Sequence, residues 1–179
     1  KYGYLRYPTG FSGDPYRNFK AGDVHFVDQN GDGWISEADK VKIGDANPDL
    51  YGNIFTSFSY KNFRLDATFK YSIGNDVFNY QRSQLEAGNN LWNQTKAMAN
   101  RWTYEGQKTS VPRAVLEGSS EWVDNERFSD RWIEDGSFLK LKNIRLTYDL
   151  PLSLTWLQGF AVWAEANNVF TISKYTGSD

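Results

Sequence analysis

The sequence predicts an all-β chain, part of a large antiparallel transmembrane β-barrel with long extracellular loops, one of them carrying an EF-hand-like calcium loop. Three observations carry the barrel reading. Phe63, Leu65, Ala67, Phe69, Tyr71 and Ile73 alternate with Arg64, Asp66, Thr68, Lys70 and Ser72. That run of about eleven residues is the reach a tilted strand needs to cross a bilayer, and about twice an ordinary soluble strand. The connections then alternate: short at Lys61-Asn62, long over 74–136, short again over 151–158. Outer-membrane barrels set tight periplasmic turns against long extracellular loops in this way. Finally, no stretch reaches about 18 consecutive apolar residues, so a helical crossing is excluded while a strand crossing is not.

In chain order, residues 1–20 are rich in Gly, Pro, Tyr and Asp, which favours irregular structure. Their opening, KYGYLRYPTG, lacks a signal-peptide profile, and the closing SKYTGSD reads as no natural stop. The expectation is a segment of a longer chain. Residues 24–27, VHFV, look strand-like and lead into Asp28-Gln-Asn-Gly-Asp-Gly-Trp-Ile-Ser-Glu-Ala-Asp39.

This twelve-residue stretch follows the EF-hand calcium loop at nearly every ligand position. Oxygen-bearing side chains fall at positions 1, 3 and 5 (Asp28, Asn30, Asp32), and Gly33 at position 6 permits the sharp turn. The Trp34 carbonyl falls at position 7, Ile35 supplies the apolar anchor at 8, and Ser36 can contribute at 9 directly or through water. Asp39 stands at position 12 in place of Glu, and its shorter arm makes bidentate reach harder. The competing reading is a bare turn, since Asn, Gly and Asp are all turn formers. Turn chemistry alone does not call for acidic groups at 1, 5 and 12 together with an apolar residue at 8. Because no amphipathic helix precedes the loop, its expected role is structural: a lone calcium site and not a paired switch.

Residues 53–60 alternate Ile54, Thr56, Phe58 and Tyr60 with Asn53, Phe55, Ser57 and Ser59, and Lys61-Asn62 turns the chain into the long strand 63–73. The insertion 74–136 contains Trp92, Trp102, Trp122, Trp132, Tyr80 and Tyr104, with a helical stripe expected over 83–102 through Leu91, Thr95, Met98 and Trp102. Those aromatics either stack on a ligand or form the insertion's own small core. In strand 137–150 the alternation reverses between Leu139/Leu141 and Ile144/Leu146/Tyr148, which predicts a β-bulge near Lys142-Asn143 or passage into a different packing layer. After Pro151, residues 159–171 return with Phe160, Val162, Ala164 and Ala166 opposite Trp163, Glu165 and Asn167.

Composition removes several function classes. The net charge of −2 gives no electrostatic case for nucleic acid. With no Cys and one His (His25), disulfide frameworks, thiolate sites and multi-His zinc are excluded within this chain. The aromatic share of 17% suits either a carbohydrate-handling surface or a β protein with long wet loops. Glycoside hydrolysis needs two carboxylates at a set separation across a cleft. The neighbours Glu134 and Asp135 offer no such pair and read as the turn that starts a strand, so no enzyme is expected.

The segments GDVHFVDQNGDGWISEADKVKIG, YGNIFTSFSYKNFRLDATFKYSIGNDVFN, NRWTYEGQKTSVPRA, RFSDRWIEDGSFLKLKNIRLTYDLP and AEANNVFTISKYTGSD, taken in order, resemble the C-terminal part of SusC/RagA-type TonB-dependent outer-membrane transporters of Bacteroidetes. They cover most of residues 21–179. The resemblance implies a plugged barrel of about 22 strands, energy from TonB, a SusD-like surface lipoprotein as lid, and an oligosaccharide or peptide as cargo. Only the calcium-loop positions carry over residue by residue. The resulting expectation is an extracellular loop over 1–50 holding the calcium loop 28–39, a transmembrane hairpin 51–73, a long extracellular loop 74–136, a second hairpin 137–171, and the start of another loop at 172–179. Arg64, Asp66, Lys70, Arg145, Asp149 and Glu165 are expected to face the lumen. Phe63, Leu65, Phe69, Ile144, Leu146 and Phe160 are expected to face lipid. The alternative function is a secreted calcium-stabilised carbohydrate-binding β domain.

Overall fold

A computed structural model describes residues 20–32, 35–152 and 159–177. The expected alternation becomes four strands almost residue for residue, β1 (Leu50–Tyr60), β2 (Phe63–Ile73), β5 (Phe138–Leu150) and β6 (Phe160–Ser173), while two short strands, β3 (Asp76–Phe78) and β4 (Ile133–Asp135), arise inside the stretch expected to be loop. One short helix, α1 (Tyr80–Leu85), opens the insertion. The main sheet is antiparallel throughout, in the order β1-β2-β5-β6, and β3 pairs with β4 in a second sheet. Lys61 turns the β1–β2 hairpin with φ 53°, a left-handed value that L residues adopt at a cost.

The main sheet belongs to a compact unit formed by residues 45–77 and 135–175. Its register sorts side chains by chemistry. Leu65 pairs with Phe58 and Leu146, and Leu146 in turn with Ala164. One residue along, Asp66 pairs with Ser57 and Arg145, and Arg145 with Glu165. The first face is continuous and apolar, and much of it is open: Phe58 is 67% exposed and Leu146 46%. Hydrogen bonds knit the other face. Ser57 Oγ donates to Asp66 Oδ1 at 2.6 Å, Asn143 Nδ2 donates to Glu165 Oε1 at 2.6 Å, and the Arg145 guanidinium lies 4.3 Å from the Trp163 ring centroid.

The reversed alternation in β5 is a bulge at the expected place. Thr68 pairs with Asn143 but Phe69 pairs with Leu141, so Lys142 is an extra residue against β2. On the other side Leu141 pairs with Phe170 and Asn143 with Asn167. The residues skipped there include Asn168, at φ 52°, a region that Asn tolerates better than most residues. The bulge returns Leu139 and Leu141 to the apolar face, opposite Tyr71 and Phe69.

Of the described residues, the second compact unit joins 20–44, 78–134 and 176–177. The described segment 20–44 and the insertion therefore fold together. Two expectations fail here. Residues 24–27 enter neither sheet, because the Val24 N–H is taken by the Asn125 side chain at 2.9 Å and not by a strand. The helix expected over 83–102 is only α1 and a 3₁₀ turn, Lys96–Asn100. Gly88 at φ 67° and the Asn89-Asn90 pair break it, and Leu91 on the expected stripe is 92% exposed.

Candidate functional site

The described part of loop 28–39, expected from the sequence to bind calcium, folds around Asp39 and not around a common centre. Ser36 and Asp39 cap a 3₁₀ turn, Glu37–Asp39, reciprocally. The Ser36 N–H donates to Asp39 Oδ2 at 2.6 Å, and Ser36 Oγ accepts the Ala38 N–H at 3.1 Å. The other Asp39 oxygen reaches back to the start of the loop, accepting the N–H groups of Gln29 at 2.8 Å and Asn30 at 3.4 Å. Asp39 is fully buried. The Ser36 amide, ahead of the desolvation that opposes it, holds its carboxyl below the ordinary range, with the Gln29 and Asn30 amides adding to the effect.

The other loop oxygens serve the loop's own turn. Asp28 Oδ1 accepts the Gly31 N–H at 2.7 Å and Asn30 Oδ1 accepts the Asp32 N–H at 2.9 Å. The Asn30 amide donates to Asp32 Oδ2 at 2.8 Å. Ile35 is buried, as an apolar anchor should be. Trp34 and Gly33 lie outside the described residues. Among the described residues, no three carboxylates or imidazoles converge closely enough to hold a metal ion. The donor chemistry still suits a hard cation: the ligand positions of this short loop hold three carboxylates (Asp28, Asp32 and Asp39) and the Asn30 amide oxygen, with neither sulfur nor imidazole.

What sequence reasoning missed is how this loop is moored. Asp23, just upstream, receives a two-toothed grip from Arg113: Nε to Oδ1 at 2.6 Å and Nη2 to Oδ2 at 3.0 Å. The Asp23 side chain is 1% exposed, and Asn125 Nδ2 adds a third bond at 2.9 Å. The Arg113 N–H also donates to the Gly22 carbonyl at 2.9 Å. A Cβ on Gly22, whose φ is 90°, would run into the Trp102 ring. These partners lie far apart in sequence, so no local pattern announces them.

Trp132 is the centre of the insertion's core. It is completely buried, its indole N–H is shared between the Glu126 and Arg127 carbonyls at 3.0 Å each, and the Arg131 guanidinium sits 4.7 Å from its ring. Beside it, Arg82 on α1 joins Glu134 at 2.8 Å and Glu86 at 3.1 Å. Burial works against the Glu134 carboxylate, but the Thr176 amide and hydroxyl, Arg82 and Asn79 outweigh it and hold the group below the ordinary value. Glu134 is thus a tie between segments, and Asp135 Oδ1 accepts the Ser137 N–H at 3.0 Å. The remaining aromatics divide: Trp92, Tyr80 and Tyr104 are exposed, while Trp102 and Trp122 are half-buried. A cleft of about 700 Å³ opens against residues 22–25, Arg82, Glu86, Trp102 and residues 109–112. Its volume suits a small ligand, but Asp23, Arg82 and Glu86 on its wall are already engaged in the ion pairs above.

Comparison with known proteins gives concordant results. The chain is 35% identical over 157 residues to TonB-dependent receptor P3 of Formosa agariphila, covering 86% of this chain and 15% of that protein. It is 29% identical over 158 residues to TonB-dependent receptor SusC of Bacteroides thetaiotaomicron, covering 86% and 15%. Among solved structures, the RagAB peptide importer in its closed-closed state superposes with a TM-score of 0.66 at 30% identity, over 83% of this chain and 17% of that one. Another, the RagAB peptide transporter, gives 0.61 at 35% identity over 74% and 14%. The chain thus spans about 15% of the length of these curated relatives. No protein-family model matches it.

Proposed function

The chain belongs, as a segment, to the SusC/RagA-type TonB-dependent transporters, which are outer-membrane β-barrel proteins, and from that premise we propose that it helps to import a nutrient oligosaccharide or peptide across the outer membrane. The observation that carries this reading is the main sheet itself. Strands of 11 to 14 residues present one open apolar face and one hydrogen-bonded polar face. Lipid against the first and a water-filled lumen against the second satisfy both. The same face argues against the secreted carbohydrate-binding alternative, which would have to leave so large an apolar surface in water.

In this reading the hairpins β1–β2 and β5–β6 cross the membrane, closing with further strands of the same chain, and the insertion and ion loop lie outside the cell. Transport draws on TonB, and a SusD-like lipoprotein covers the outer mouth. The RagAB neighbours, named as a peptide importer, support a peptide, while the family resemblance keeps an oligosaccharide as the other cargo class. Calcium is the structural ion of the loop: Asp28, Asn30, Asp32 and Asp39 would hold it by side chain, Trp34 by its carbonyl and Ser36 by its hydroxyl. When bound it would add to the cross-link that Asp39 already makes between the two ends of the loop.

Deleting the gene that encodes the full chain should abolish growth on one class of polymer, with oligosaccharides and peptides offered separately as sole source. Pull-down of the full barrel in mild detergent should bring a surface lipoprotein with it. Unchanged uptake of every polymer tried, from a strain making no other copy, would overturn the reading.

A further inference from the structure

Glu126 stands where three segments of the insertion meet. Its backbone is fixed by Trp132, whose indole N–H bonds to the Glu126 carbonyl at 3.0 Å. Its side chain reaches across to Asn89, accepting the Nδ2–H on Oε1 at 2.6 Å. Asn89 is further tied by its carbonyl, which takes the Glu117 N–H at 2.8 Å. From Asn89 the order passes outward: the Asn90 amide donates to Asn89 Oδ1 at 2.8 Å, and Asn90 Oδ1 accepts the Trp92 N–H at 2.9 Å. The tip so held carries Leu91, 92% exposed, and Trp92, 73% exposed.

The second Glu126 oxygen, Oε2, is buried and has no hydrogen-bond partner. An ionised carboxylate so placed has one oxygen neither solvated nor bonded, which is costly. The charged groups facing it are Asp124 on its own segment and Glu117 from the neighbouring turn, both acidic. The nearby Arg127 guanidinium is taken by Asp124.

We propose that Glu126 is a proton-operated clasp on the loop 89–92, holding the exposed Leu91-Trp92 pair in one arrangement while protonated and loosening it once ionised. Burial, with Asp124 and Glu117 adding repulsion, outweighs the Asn89 and backbone hydrogen bonds that favour the charged form and pushes the carboxyl from an ordinary 4.5 up to about 7. A group raised in the folded state favours that state fully below its ordinary value. The advantage falls as pH rises toward about 7 and changes no further above it. The clasp rests on the geometry of the insertion and not on which cargo or partner the transporter takes.

The test is hydrogen exchange on the full-length transporter in detergent, corrected for intrinsic rates, at pH 5, 6, 7 and 8. Protection of residues 89–93 should fall from pH 5 to 7, by at most about tenfold per pH unit, and level off by pH 8. Glu126→Gln, which keeps an acceptor for Asn89 and cannot ionise, should hold the protected level at every pH. Asp124→Asn, which removes one acidic neighbour, should end the decline at a lower pH. A flat wild-type profile, or the same decline in Glu126→Gln, overturns the clasp.

Discussion

Arg113 grips Asp23 with both teeth of its guanidinium, at 2.6 and 3.0 Å, across ninety residues of chain. Because the Asp23 carboxylate is all but inaccessible to water, the pair acts as a mooring for the segment leading into loop 28–39.

Removing one partner of such a pair strands the other. Arg113→Ala should cost about 3–5 kcal/mol locally, because Asp23 stays buried without its counter-charge. Arg113→Lys should recover only part, since a single ammonium cannot match the fork. Hydrogen exchange of residues 22–26 reads both, and wild-type protection in Arg113→Ala would refute the mooring.

The ion loop makes a separable prediction. With calcium bound, protease cleavage within 28–39 should be slow in the wild type and fast after chelation. Asp28→Ala with Asp32→Ala should be fast in both conditions. In the absence of calcium, Ser36→Ala should lower local stability by about 1 kcal/mol through loss of the cap. Cleavage indifferent to both chelator and double variant would remove calcium from the loop.

At the bulge, deleting Lys142 removes the one residue unpaired against β2, so Leu139 and Leu141 should stay on the apolar face opposite Tyr71 and Phe69. The full barrel should still assemble and keep its heat-modifiable migration on a gel, and loss of that migration would contradict the pairing. Asn168→Val places a β-branched residue at φ 52° and should cost about 1–2 kcal/mol, whereas Asn168→Gly should be tolerated.

The facing of the sheet is tested by charge. Leu65→Arg or Leu146→Arg should impair assembly, by about 2–4 kcal/mol near the bilayer midplane. Thr68→Lys, on the other face, should insert normally. Equal tolerance on both faces would contradict the assignment.

Residue order alone was enough to specify the four long strands and which residues share a face, and it offered the bulge as one of two readings. Period-two alternation is local, and a single parity break between Leu141 and Ile144 admits few remedies but one extra residue in the strand. The Ser36–Asp39 cap was also legible as a Ser-x-x-acid motif, although the calcium pattern at the same positions obscured it. The insertion was not legible in this way. Its helix failed where Gly88-Asn89-Asn90 outweighed an apolar stripe, and residues 24–27 lost their strand to one side-chain acceptor on Asn125.

What only the tertiary structure decided was pairing across distance. Asp23 with Arg113, Glu134 with Arg82 and Thr176, and Glu126 with Asn89 each join residues dozens of positions apart. Whether a carboxylate becomes an ion-pair mooring, a tie between segments or a titrating clasp depends on its burial and on which donors face it. Those are properties of packing, and composition and spacing leave them open.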